Sequence, residues 1–291
     1  MIINYKKPVI IAEIGCNHKG DIEVAKEMIK VARIYCNADV VKFQKRNNRE
    51  LLTPEQYDAP HPNPANSYGK TYGEHREFLE FTADQHKLLK DYCEEMDICY
   101  STSVWDMTSA KEITALNPKL IKIPSACNNN LEMLEWLCLN FEGEIHISTG
   151  MTTAGEMDNF VNLFERLNRL NDLVIYACTS GYPVPFKDVA LLEITRLVEK
   201  FGHKVKSIGF SGHHLGIAID VAAYTLGAMV IERHYTLDRT WKGTDHAASL
   251  EPSGIRKLVR DLNATYESLT FKNNEILEIE QIQRNKLKYR K

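Results

Sequence analysis

The sequence predicts an α/β chain folded as a (β/α)8 TIM barrel, with a long loop after the second strand and a C-terminal helical tail. Three observations predict it. Eight short runs rich in Val and Ile alternate with segments of helical periodicity. Most of these runs are apolar on both faces, as parallel strands buried beneath helices must be. The length, 291 residues, suits one such barrel. A doubly wound open sheet is the alternative that the same alternation allows. Residues 1–270 are assigned to the barrel and 271–291 to the tail.

The strands are read as Val9–Gly15, Asp39–Gln44, Ile98–Ser103, Leu120–Ser125, Glu144–Gly150, Leu173–Thr179, Ser207–Ser211 and Met229–Tyr235. The helix Asp21–Tyr35 places Val24, Met28, Val31 and Ala32 on one face. Asp84–Met96 follows Thr82 and takes Asp84 as its N-cap. Asp106–Leu116, Leu131–Phe141, Ala154–Leu170, Lys187–Phe201, a segment between His214 and Met229, and Pro252–Leu269 complete the helical set. Arg46–Phe81 breaks the rhythm with Pro54, Pro60, Pro62 and Pro64, then YGKTYGEHREFLEF. A long loop at the catalytic edge of a barrel is expected to act as a lid or substrate wall. The tail, Lys272–Lys291, reads as helical through NNEILEIEQIQRN and ends basic, a solvated helix packed on the barrel or a partner.

Hydrophobic residues at 44% and charged residues at 26% are ordinary globular values. Lys and Arg total 36 against 39 Asp and Glu, a net charge of −3, so bulk electrostatics exclude a nucleic-acid partner. The cysteines Cys16, Cys36, Cys93, Cys99, Cys127, Cys138 and Cys178 are scattered and include no CxxC pair, which implies buried thiols in a reducing compartment. The first residues run directly into a strand, without a signal-peptide pattern, and no apolar run reaches membrane length. A cytoplasmic location with no membrane partner is expected.

Polar residues stand where barrel strands should be apolar. Glu13 lies in VIIAEIG, Lys42 and Gln44 lie two apart and so on one face of DVVKFQ, and Lys122 lies in LIKIPS. Lys and Glu are rarely buried unless paired. Two lysines at a common mouth suit an anionic substrate, a phosphate or carboxylate; a Schiff base is the other use of such a lysine. Hydroxyl residues cluster at the same strand ends: Ser101, Thr102 and Ser103, then Ser125, Ser148 and Thr149, Thr179 and Ser180, and Ser211. Together with the lysines they form the ring of donors that a phosphorylated small molecule needs.

His213 and His234 end two successive strand-like runs, which places both imidazoles at one edge of a parallel sheet. Two histidines suggest a divalent metal with open positions, such as Mn2+, Fe2+ or Co2+; a hydrogen-bonded pair of barrel histidines is the structural alternative. Asp245 is an outer-shell or sugar-binding carboxylate. His214 and His246 are expected to face solvent or helices. Cys16 is either a soft extra ligand or an inert buried thiol.

A set of motifs follows in order. They are AEIG at Ala12–Gly15 with NHKG at Asn17–Gly20, VKFQ at Val41–Gln44, YST at Tyr100–Thr102 and IKIPS at Ile121–Ser125. ISTGM at Ile147–Met151, CTSGYP at Cys178–Pro183 and ERHYT at Glu232–Thr236 complete it. This series, spanning roughly residues 9–250, resembles the sialic acid synthase (N-acetylneuraminate synthase) family. The resemblance implies a barrel that condenses phosphoenolpyruvate with an open-chain amino sugar aldehyde, N-acetylmannosamine or a relative, in a phosphoenolpyruvate-dependent C–C bond-forming transfer. The products would be a nine-carbon 2-keto-3-deoxy acid and phosphate. By position, Lys42, Thr102, Lys122, Ser125, Ser148, Ser180 and Ser211 would hold phosphoenolpyruvate. Gln44, Tyr182 and Asp245 would face the sugar, with Glu13, Lys42 and Lys122 as the catalytic groups. His213 and His234 would bind the divalent metal, Mn2+ by family habit, with Mg2+, Co2+ or Fe2+ as substitutes.

The sequence departs from the family pattern at three places. Cys127 stands where many members carry a carboxylate in the sugar site, Gly212 replaces Asp in Ser-Asp-His, and Ser180 replaces an asparagine. Members also continue into a small antifreeze-like domain, and the resemblance here covers the barrel alone. A homodimer is the family's habit, although a barrel alone lacks one reason for it, and a separate antifreeze-like polypeptide is the other macromolecular partner the resemblance suggests. Alternatives to the nine-carbon synthase are a synthase for a shorter 3-deoxy-ulosonic acid and a non-catalytic sugar-binding barrel subunit.

Overall fold

In the computed structural model, which describes residues 3–289, eight parallel strands close a barrel in sequence order. They are β1 (Val9–Gly15), β2 (Val40–Lys45), β3 (Cys99–Val104), β4 (Leu120–Ile123), β5 (Glu144–Ser148), β6 (Leu173–Cys178), β7 (Ser207–Gly212) and β8 (Val230–His234), with β8 pairing back onto β1. The outer layer is made by α1 (Ile22–Val31), α5 (Ala83–Glu95), α6 (Met107–Ala115), α7 (Leu131–Asn140), α8 (Ala154–Arg166), α9 (Glu193–Phe201), α10 (Ala218–Thr225) and α11 (Pro252–Ser268). Three short helices fill the β2–α5 connection: α2 (Asn48–Leu51), α3 (Pro54–Asp58) and α4 (Tyr72–Phe78). The tail carries α12 (Glu278–Leu287), none of whose residues is buried. Among the described residues no helix is long and apolar enough to cross a membrane.

The period-two alternation of the strands sorts their side chains into two cores. On β1, Ile10, Ala12 and Ile14 point outward into the main core against the helices. Ile11 points inward and meets Val40, Leu120, Val174, Tyr176 and Val230, which together floor the barrel lumen. One step further along each strand the lumen turns polar. Glu13 pairs in register with Lys42 on one side and His234 on the other, Gln44 with Ser103, Ser103 with Lys122, and Ser211 with Glu232. The apolar floor leaves the charged layer at the C-terminal mouth, where α/β barrels do their chemistry.

Several boundaries differ from the sequence reading for identifiable reasons. β4 stops at Ile123 because Pro124 has no amide to extend the ladder, and Ser125–Cys127 turns as a short 3-10 helix. α1 ends at Val31 and loosens into a π turn over Ala32–Cys36, closed by Asn37 at φ 58°. The cap of α5 is Thr82, not Asp84: its hydroxyl accepts the Gln85 amide while the Gln85 side chain returns to the Thr82 amide. The stretch read as one helix over Lys187–Phe201 is a turn at Phe186–Asp188 followed by α9. The tail helix begins at Glu278 rather than near Asn273.

The Arg46–Phe81 connection is folded. Capping boxes at Thr53 with Gln56 and at Thr71 with Glu74 start α3 and α4. Gly73 lies so close to the Tyr57 ring that any Cβ there would collide with it, which locks α4 onto α3. The connection thus presents a fixed wall to the barrel mouth.

Candidate active site at the barrel mouth

A cavity of about 640 Å3 opens at the C-terminal ends of the strands. Of the residues singled out from sequence, Glu13, Lys42, Gln44, Lys122, Ser125, Ser148, Ser180, Tyr182, Ser211, His213, His234 and Asp245 all line it. Thr102 does not. It shares a face with Tyr100 and its hydroxyl donates to the Tyr100 oxygen at 2.5 Å, in the layer between β3 and α5. Ser103, one residue on, takes the inward position and accepts from Lys42 Nζ at 2.7 Å. The one-residue shift moves the side chain to the other face of the strand.

Two buried lysines and two buried glutamates form the floor of the site. Lys42 is ion-paired with Glu13 and lies 3.9 Å from Glu232; Lys122 meets Glu232 at 2.9 Å. Ser211 donates to the other Glu232 oxygen at 3.0 Å, and Gln44 donates to Glu13 at 3.3 Å. Lys122 Nζ also stands 3.4 Å above the Tyr176 ring centroid, and the Tyr176 hydroxyl reaches His146 at 2.7 Å. Balanced charge is what makes this burial tolerable. Burial opposes ionisation of Glu232, but Lys122 and Lys42 outweigh it and hold its carboxyl well below the usual range. Burial pushes Glu13 up, against the pull of Lys42. Lys122 is lowered by burial, only partly offset by Glu232. The two carboxylates are thereby pushed apart, Glu232 downward by its lysines and Glu13 upward by burial.

Sequence reasoning did not single out Glu232 as a functional group. The signal was present, since Val230, Glu232 and His234 alternate onto one face of VIERH. Arg46, Tyr72, Arg76 and Trp105 also line the cavity. The first three come from the β2–α5 wall, where no local periodicity marks them.

The hydroxyl ring closes over the lysines. Ser125 accepts the Gly150 amide at 2.9 Å, and a Cβ on Gly150 would collide with Ser180 Oγ and stand 2.8 Å from Ser125 Oγ. Glycine at 150 is therefore needed for the serines of β4, β5 and β6 to converge. Cys127 is buried outside the cavity, where Ala126 takes the wall position.

The imidazoles of His213 and His234 lie 5.4 Å apart between centroids, and the Tyr182 ring packs 4.4 Å from the first and 5.8 Å from the second. His213 Nδ1–H donates to the Thr179 carbonyl at 3.1 Å, leaving Nε2 as the free lone pair. Burial, then the neighbouring His234, hold His213 down to about 3, so it is neutral. His234 Nδ1 is buried without a hydrogen-bond partner, and the Asp245 carboxylate lies 4.0 Å from it. Among the described residues no group of three or more His, Cys, Asp or Glu side chains is arranged to hold a metal ion. The neutral ring and the orphaned nitrogen fit a two-histidine set that leaves the other positions to water and substrate oxygens.

His214, His246 and Cys16 are not among the residues that line the cavity. His214 is buried, with Nε2 3.1 Å from the Arg233 guanidinium and 3.4 Å from Asp220. His246 is buried against the Thr236 hydroxyl at 2.7 Å. Neither faces solvent. The Cys16 thiol accepts from Arg46 at 3.0 Å, and burial pushes it up to about 12, which keeps it a neutral, inert thiol.

Comparison with known proteins identifies the family. The sequence profile of the NeuB family matches residues 28–274. N-acetylneuraminate-9-phosphate synthase of Homo sapiens is 40% identical over 278 residues, 96% of this chain and 76% of that protein. N,N'-diacetyllegionaminic acid synthase of Campylobacter jejuni is 32% identical over 265 residues, 91% of this chain and 78% of that protein. The crystal structure of an N-acetylneuraminic acid (sialic acid) synthetase from Leptospira borgpetersenii superposes with a TM-score of 0.81 at 28% identity, covering 98% of this chain and 94% of that one. With a matching profile over most of its length, the chain belongs to the NeuB family, the family of the sialic acid synthases.

Proposed function

We propose that this protein condenses phosphoenolpyruvate with an N-acyl amino sugar aldehyde, N-acetylmannosamine or a relative, to give a sialic-acid-like nine-carbon 2-keto-3-deoxy acid and phosphate. The observation that carries the reading is one cavity holding Lys42, Lys122, five strand-end serines and the His213–His234 pair. Lys122 and the serines suit the phosphate and carboxylate of phosphoenolpyruvate. A divalent ion such as Mn2+, held by His213 and His234, would supply Lewis acidity toward an aldehyde oxygen.

Facing the histidines across the cavity, phosphoenolpyruvate would place its C3 against the aldehyde carbon; its C2=C3 π pair forms the new C–C bond while the C=O π pair moves onto the aldehyde oxygen. C2 becomes electron-poor and takes the oxygen of a water molecule. Glu13, raised by burial and steered by Lys42 and Gln44, accepts the proton of that water. The C2–O bond to phosphate then breaks as the C2 hydroxyl passes its proton to the departing phosphate, leaving the keto group, and the proton held by Glu13 goes to the former aldehyde oxygen, which ends as a hydroxyl. Lys122, held by Glu232 at 2.9 Å, would stabilise the departing phosphate. Gln44, Tyr182 and Asp245, which line the same cavity, would face the sugar.

The test is phosphate release from phosphoenolpyruvate with Mn2+ and a panel of N-acyl amino sugars. Release that depends on the sugar supports the reading. No release with any sugar, together with no Mn2+ binding, would favour a non-catalytic sugar-binding barrel.

A further inference from the structure

The lumen beneath the site holds polar groups that touch neither the cavity nor its contents. Tyr176 points inward from β6 and is buried in the barrel floor, with Lys122 Nζ 3.4 Å above its ring centroid. The ring is seated from two sides. On β7 its register partner is Gly209, where a Cβ would come within 2.8 Å of two ring carbons, so glycine leaves the room that the ring needs under the lysine. On β5, burial keeps His146 neutral, so one of its nitrogens donates and the other accepts. Its Nε2–H donates to Glu144 at 3.1 Å, and Nδ1 therefore accepts from the Tyr176 hydroxyl at 2.7 Å. Glu144 is tied in turn to Lys206 at 3.1 Å, at the N-terminal ends of β5 and β7.

Packing alone does not call for this. The rest of the floor is Ile11, Val40, Leu120, Val174 and Val230, and an aliphatic side chain would fill the space with no hydroxyl to satisfy. What a tyrosine adds is a π face, and Lys122 is the group that gains from it. Its ammonium has one carboxylate, Glu232, which also compensates Lys42. A second carboxylate would support the charge but would repel an anionic substrate. A ring face attracts a cation through its quadrupole and carries no net charge to oppose phosphate or carboxylate. A hydroxyl that donates to His146 is polarised in the direction that enriches the ring. We propose that Tyr176 is a positioning residue for the reaction: its ring holds the Lys122 ammonium up against the cavity, where it meets phosphoenolpyruvate, and the His146–Glu144 pair fixes the ring in place. This rests on the synthase reading above.

The test weakens the ring face while nearly keeping the ring's shape. Phenylalanine and its mono-, di- and trifluoro analogues replace Tyr176, and phosphoenolpyruvate binding to the Mn2+-loaded protein is measured by calorimetry. Each fluorine draws electron density from the face that meets the lysine. Tyr176→Phe is expected to bind phosphoenolpyruvate within about threefold of the wild type, and affinity should then fall with each fluorine to roughly tenfold weaker for the trifluoro ring, the scale of a desolvated cation–π contact. The KM for the sugar should stay constant along the series. Where Tyr176→Phe does not fold, 3-fluoro- and 3,5-difluorotyrosine keep the hydroxyl and give the same comparison. A ring that only fills the lumen would leave the affinity flat across the fluorines. That result, with phosphoenolpyruvate still bound, overturns the proposal and leaves the synthase reading standing. A loss at Tyr176→Phe with no further change along the fluorines overturns it too and assigns the effect to the His146 hydrogen bond. A wild-type protein that binds no phosphoenolpyruvate overturns the synthase reading and the proposal together.

Discussion

Glu232 on β8 reaches across the barrel mouth to Lys122 on β4, with Oε2 2.9 Å from Nζ, while its other oxygen accepts from Ser211. The carboxylate also lies 3.9 Å from Lys42, so it compensates two buried lysines at once. Glu232→Ala leaves both with only Glu13 between them. The expected cost is about 3–5 kcal/mol of folding stability, as for other broken buried ion pairs. Urea denaturation measures it, and the double variant Glu232→Leu with Lys122→Met should recover most of the loss. A single variant as stable as the wild type would mean the lysines are compensated elsewhere.

The second prediction concerns one step of register on β3. Ser103 faces the cavity and bonds Lys42, whereas Thr102 bonds Tyr100 behind the sheet. Ser103→Ala should raise the KM for phosphoenolpyruvate roughly tenfold, the scale of one hydrogen bond to a charged group. Thr102→Val should leave that KM unchanged and cost about 1 kcal/mol of stability, the ordinary worth of a buried hydrogen bond. Kinetics on the pair, with thermal melts alongside, checks both; the reverse pattern would place Thr102 at the substrate.

His234 offers a sharper test of the histidine pair. His234→Ala should abolish Mn2+ binding by calorimetry and with it sugar-dependent turnover, while circular dichroism stays that of the wild type. The side chain sits at the open end of β8, so its removal leaves the strand pairing intact. Full activity with undiminished Mn2+ binding would remove His234 from the site.

The fourth prediction is a pH dependence of stability. Burial holds His86, packed against Tyr100, and His18, stacked on Phe81, each down to about 3. In the unfolded chain both titrate near the ordinary value of about 6.5. Below that pH the unfolded state binds protons that the folded state refuses, so stability present above pH ~6.5 is lost as the pH falls. Each contributes a slope of about 1.4 kcal/mol per pH unit. His86→Leu should flatten the fall in Tm between neutral pH and the onset of acid unfolding, even if it lowers Tm at neutral pH. An unchanged slope would show that His86 takes up its proton in the fold as it does in the unfolded chain.

Much of the fold was legible because barrel strands carry their own signature. VIIAEIG and LIKIPS read as buried runs, and the charged residues within them mark the mouth. The same alternation was applied to Lys42 and Gln44 but not to Glu232 and Ser103, which is why those two were missed or misplaced by one residue. Arg46, Tyr72 and Arg76 were out of reach for another reason. Their position depends on how α3 and α4 pack through Tyr57 and Gly73, a long-range outcome that no period in the loop encodes. The caps tell a similar story: Thr82 and Asp84 both suit an N-cap, and only the return bond from Gln85 decides between them.

The central claim is that one cavity joins the carbons of phosphoenolpyruvate to an amino sugar. Mass analysis of the product after incubation with phosphoenolpyruvate, Mn2+ and N-acetylmannosamine or its phosphate tests this most directly. The expected product is a 2-keto-3-deoxy acid with the sugar's carbons plus three, formed in equal amount to the phosphate released. Phosphate released without any such acid, or an acid only from a shorter aldose, would contradict it.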